Sequence, residues 1–116
     1  MKKILIRHRD FVAEGEINED MITSQELLDM LPLENTVERY LQELYMDVGL
    51  KFGYENPVTQ TEAGDIAYWP PGRAFCVFHG DSQPVNEVNI IGKVVKGLED
   101  FTNVKKGDKL KLEIPK

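Results

Sequence analysis

Residues 64–81 read GDIAYWPPGRAFCVFHGD, two apolar runs joined by a Pro-Pro-Gly corner. No helix continues through that corner, because neither proline has an amide to donate and both lock φ. The flanking runs are short, rich in aromatic and β-branched residues and bounded by glycine, so the pair reads as a hairpin. Trp69 precedes Pro70, where a cis bond is tolerated, and forms a rigid corner or a binding side chain. Side chains alternate along a strand, which puts Cys76 and Phe78 on one face and Phe75, Val77 and His79 on the other. Both faces are apolar, where an antiparallel sheet facing water shows only one. A packed helix or loop, a homodimer contact, or a groove for a peptide or small-molecule ligand would each account for the second face. The residues grouped for such a groove are Trp69, Arg73, Phe75, Val77 and His79.

The rest of the chain follows the same period. KKILIRHR at 2–9 alternates Ile4, Ile6 and His8 against Leu5, Arg7 and Arg9, and residues 11–17 supply a hairpin partner. VNIIGKVV at 88–95 is a β-branched run in which Gly92 marks a bend or a close backbone approach. KLKLEI at 109–114 points Leu110, Leu112 and Ile114 inward after a KKGD turn, and Leu98 and Phe101 anchor one helical turn before it. The helix start lies at 22–27: Thr23 caps, Glu26 bonds back to the Thr23 amide, Ile22 staples to Leu27, and Pro32 ends the element. Residues 35–48 are ambiguous, with Val37, Leu41, Leu44 and Val48 at helical spacing, and periodicity alone favours a helix. Residues 52–64 read as a long connection.

With 116 residues the chain fills one domain, residues 1–116. A net charge of −6 opposes a broad phosphate-binding surface, so nucleic acid is not an expected partner. No apolar run approaches a membrane span, the opening MKKILIRHRD is too short in apolar residues for a signal sequence, and the one cysteine favours a reducing, cytoplasmic setting.

Chemistry-bearing motifs are sparse. A Cys76–His79 nucleophile pair fails because positions three apart on a strand face opposite sides, and Cys76 reads as a small buried hydrophobe. His8, His79 and Cys76 have no metal-ligand spacing, so no metal site is expected. No glycine-rich phosphate loop is present, and no cofactor is implied; GDS at 80–82 reads as a turn. The acidic run EGEINED at 14–20 lacks the pattern of a calcium loop and reads as a solvated turn.

GDIAYWPPGRAFCVFHG followed by VNIIGKVVKGLEDFTNVKKGD resembles the small cyclophilin-like proteins of bacteria and archaea, a family without an established cellular role. The resemblance is carried by residues 64–108, and by layout before that. It implies a mainly β fold, a closed antiparallel cyclophilin-like barrel with one or two short helices, and it turns 35–41 and 43–48 into a hairpin. It also raises peptidyl-prolyl isomerisation, with Arg39 in VERYL and Phe75 as the catalytic candidates. The tryptophan and histidine that precede the matching strand of true cyclophilins have no counterpart in SQPVNEVN at 82–89, and Glu38 adjoins Arg39. The resemblance therefore favours a binding module over an efficient isomerase.

Overall fold

Period-two alternation becomes nine antiparallel strands in the computed structural model, which describes residues 1–116. In chain order they are β1 (Lys2–His8), β2 (Phe11–Ile17), β3 (Leu33–Thr36), β4 (Glu38–Tyr40), β5 (Glu43–Asp47), β6 (Asp65–Trp69), β7 (Ala74–Phe78), β8 (Asn89–Lys96) and β9 (Lys109–Glu113). One α-helix, α1 (Ile22–Asp29), follows β2, and single 3-10 segments occupy Pro70–Gly72 and Leu98–Asn103. The sheet order is β3-β9-β1-β2-β8-β6-β7-β5-β4.

The barrel is nearly closed rather than closed. Its edge strands β3 and β4 are consecutive in the chain, yet no ladder joins them. The gap is spanned by the chain itself at Val37, whose amide donates to the Asp108 carbonyl at 2.9 Å, and by the Asn35 side chain, which donates to the Asp47 carbonyl at 2.9 Å. The expected hairpin at 35–48 is therefore narrower: β4 pairs β5 from Glu38↔Tyr45 to Tyr40↔Glu43, while residues 35 and 36 belong to β3 and pair with β9. The helical stripe does not form: Leu44 lies in β5, Val37 and Val48 enter the core from just outside the strands, and Leu41 is exposed between β4 and β5.

Ile4, Ile6, Ile17, Leu44, Met46, Ile66, Tyr68, Phe75, Val77, Ile91, Leu110 and Leu112 fill the barrel interior, and α1 and Phe101 close over it. Each such large side chain contributes about 1.5–3 kcal/mol by leaving water, which is what holds so short a set of strands in register. Ile114, expected inward, lies past the end of β9 and is exposed. Gly92 is a close approach, as expected: a Cβ there would run into the Glu16 carbonyl of β2.

Three local expectations change. Met21, not Thr23, holds the N-cap position of α1, and neither Thr23 nor Glu26 caps it; a carboxylate from elsewhere, Glu55, takes the free amides. The cis peptide is Leu31–Pro32, and Trp69–Pro70 is trans. The acidic run at 14–20 is not one turn, since Glu14 to Ile17 lie in β2 and Glu14 pairs with Lys3 at 2.8 Å.

Candidate functional site

Strand β7 has both faces buried, and the structure resolves which is which. Phe75 and Val77 point into the barrel, each 1% exposed. Ala74, Cys76 and Phe78 point outward, where Ala67 of β6 and Val88 join them in a second apolar cluster. Val88 arrives on a crossing segment held by a two-way backbone bridge to Val58 (2.9 and 3.0 Å). That segment covers the middle of the outer face and leaves one end of it open.

The open end is a groove lined by Tyr40, Glu43, Tyr45, Trp69, Pro84, Val85 and Val88, enclosing about 80 Å³. Register explains the assembly. Tyr40 lies opposite Glu43, Glu43 opposite Phe78 and Tyr45 opposite Cys76, so alternation aims all of them at the outer face. The Trp69 and Tyr45 rings stand edge to face, centroids 6.0 Å apart and planes at 76°. Trp69 is steadied from behind by the Pro-Pro-Gly corner: its ring lies over Gly72, where a Cβ would come within 2.6 Å of it. The corner is thus structural, and it also sets one wall of the groove.

Glu43 is the chemically unusual group in it. The residue is 6% exposed and takes part in no ion pair of the chain. Burial raises its carboxyl to about 6, with the adjacent Cys76 thiol offsetting part of the rise. Cys76 is pushed well above the usual thiol range, first by burial and then by the Glu43 charge, which leaves it an inert packing residue.

The residues grouped from the sequence do not converge. Trp69 lines the groove, but Phe75 and Val77 are inside the barrel, and Arg73 is exposed beyond the corner with a left-handed φ of 49°. His79 follows Val77 on the inward side; its Nε2 is buried without a partner, and burial together with nearby Arg39 lowers its pKa. Arg39, opposite inward-facing Leu44, donates to the Val104 carbonyl at 2.8 Å. The Arg39 and Phe75 pair is therefore engaged in fold contacts, with Phe75 closed off from solvent. His8 has both ring nitrogens occupied: the Asp10 amide donates to Nδ1, so Nε2 carries the proton and donates to Asp108 at 2.8 Å. No cluster of three or more His, Cys, Asp or Glu side chains could hold a metal.

Sequence reasoning missed Tyr40, Glu43, Tyr45, Pro84, Val85 and Val88. A signal existed in ELYMD at 43–47, where alternation puts a carboxylate and a tyrosine on one face. The residues at 84–88 carried none, since a connecting segment reaches this face only through the fold.

An antiparallel barrel, nearly closed, with a small groove on its outer wall defines the class of protein. A family model described as cyclophilin-like matches residues 2–113, and the chain belongs to the cyclophilin-like family. The solution structure of the hypothetical protein AF2241 from Archaeoglobus fulgidus superposes with a TM-score of 0.80 at 29% identity, covering 98% of this chain and 95% of that one. Comparison with curated proteins gives no match. No helix is long and apolar enough to cross a membrane.

Proposed function

We propose that this chain is a small-ligand binding module whose site is the outer-wall groove between Tyr45, Trp69 and Val85. The observation that carries the reading is Glu43, a buried carboxylate without an ionic partner, set among aromatic and aliphatic walls. Folding gains nothing from an unpaired carboxylate in such a place, and a ligand group that meets it would offset its desolvation. The prolyl isomerase alternative would require Arg39 and Phe75 to reach a peptide from their present contacts with Val104 and the barrel core.

The test is a fragment screen followed by amide NMR shifts, with a prolyl isomerase assay alongside. Shifts gathering on Tyr40, Glu43, Tyr45, Trp69, Val85 and Val88 are the expected result. A screen in which no fragment moves these signals would overturn the reading. Isomerase turnover that disappears in a folded Arg39→Ala variant would restore the enzyme.

A further inference from the structure

The groove combines three aromatic side chains with one buried carboxylate, and each part of that set selects ligand chemistry. Tyr45 and Trp69 meet at nearly a right angle, so one presents a face where the other presents an edge, and Tyr40 adds a third ring from β4. Ring faces carry the negative part of the aromatic quadrupole, and a cation within about 6 Å of a ring centre is attracted to them. Glu43 supplies a full negative charge on the same side of the sheet, from the strand that bears Tyr45. No lysine or arginine lines the space.

From this arrangement we infer that the groove binds the methylated ammonium head of a free small molecule. This rests on the groove being the ligand site, as proposed above, and goes further by naming the ligand class.

A primary ammonium fits less well. It holds water through three N–H donors, and the groove offers one carboxylate and otherwise rings and aliphatic carbon, so most of that hydration would be lost without replacement. A quaternary or tertiary methylated ammonium spreads its charge over methyl groups, which pack against Trp69, Tyr45, Val85 and Val88 while the charge stays near Glu43. The groove has room of about 80 Å³ between its walls, on the scale of one such head, and its seven lining residues offer no second pocket for the side-chain run by which a peptide gains affinity. Anionic and neutral ligands leave Glu43 uncompensated.

Trp69 is the only tryptophan, so its fluorescence reports on the groove directly. The probes are choline and tetramethylammonium, with sodium and ammonium salts at matched ionic strength, and 3,3-dimethylbutanol as the uncharged isostere of choline. Both methylated cations should give a saturable change in Trp69 emission in the millimolar range, and Glu43→Gln, checked for folding by thermal melt, should weaken it about tenfold. The uncharged isostere should bind at least about tenfold more weakly than choline.

Equal binding of the isostere, or full binding to a folded Glu43→Gln, would overturn the cation assignment and leave the groove standing as an apolar site. A peptide carrying trimethyl-lysine that binds more than about tenfold tighter than choline would overturn the assignment to a free small molecule. Silence from every probe would sink this inference. The fragment screen alone decides whether the groove itself goes with it.

Discussion

Glu55 accepts the Thr23 hydroxyl at 2.6 Å and the Thr23 amide at 2.8 Å on one carboxylate oxygen, and the Ile22 amide at 3.0 Å on the other. A loop carboxylate thus caps α1 from 32 residues downstream of Thr23. Buried Asn89 ties the two together, donating to the Thr23 hydroxyl and the Gly53 carbonyl and accepting from the Glu55 amide. Removing the carboxylate frees helix-terminal amides that nothing else satisfies, so Glu55→Ala should cost about 1–2 kcal/mol in urea unfolding. These hydrogen bonds hold the Glu55 carboxyl below its ordinary value. Its contribution is therefore full above the unfolded carboxyl range and is lost as pH falls through the lower folded value. The stability gap between wild type and Glu55→Ala should narrow in acid; a constant gap would contradict the cap.

Glu43 has the opposite sign. Its folded carboxyl is raised to about 6, so ionisation is disfavoured in the fold. The penalty is fully present above that value, shrinks as pH falls from about 6 towards the ordinary 4.5, and is absent below it. Glu43→Gln should therefore stabilise the protein by about 1 kcal/mol at pH 8, a figure reduced for solvent screening at the open side of the groove, and by nothing at pH 4. Tyr40 on β4, Tyr45 on β5 and Cys76 on β7 are the titratable groups around it, and none supplies a positive charge. Thermal melts across that range check the slope, and a Glu43→Gln variant less stable at pH 8 would refute it.

Cys76 should be silent towards thiol reagents in the folded protein. Its sulfur is fully buried and its pKa is pushed up by burial and by Glu43, so both access and thiolate are missing. Ellman's reagent should react only at the rate of unfolding. Prompt stoichiometric labelling of native protein would count against the covered outer face.

Two glycines separate a backbone limit from a side-chain one. A methyl at Gly92 meets the Glu16 carbonyl and comes within 3.0 Å of the Ile17 Cα, so β2 and β8 must part to admit it. At Gly15 the nearest atom is the Ile66 Cδ1 at 2.8 Å, the free end of a flexible chain. Gly92→Ala should cost about 3 kcal/mol and Gly15→Ala about 1. Equal melting temperatures for the two variants would show that the β2–β8 approach is looser than described.

Alternation is a local property, so β1, β2, β6, β7, β8 and β9 were legible wherever one face of a run was apolar and its ends carried turn residues. Residues 35–48 misled on periodicity because the chain crosses here from one edge strand to the other and turns back into β5, so Val37, Leu44 and Val48 reach the core from separate segments, and no spacing rule encodes a break at Val37. The α1 cap was missed for a similar reason: Thr23 has the right chemistry, but its hydroxyl is spent on a carboxylate beyond any local window. Trp69 is the one residue shared by the grouping read from the sequence and the lining of the groove, and the rigid corner beside it is what holds it there.

The amino-acid order alone determined the β class, the Pro-Pro-Gly hairpin and the excess of apolar surface on β7, since each follows from side chains within a few residues of one another. Which face of β7 turned inward could not follow from it, because Phe75 and Val77 are as apolar as Cys76 and Phe78. Barrel curvature and the crossing segment at 84–88 made that choice, burying one face inside and covering most of the other. The groove around Glu43 exists only where that cover stops, so its residues, drawn from β4, β5, β6 and a loop, come together through tertiary packing.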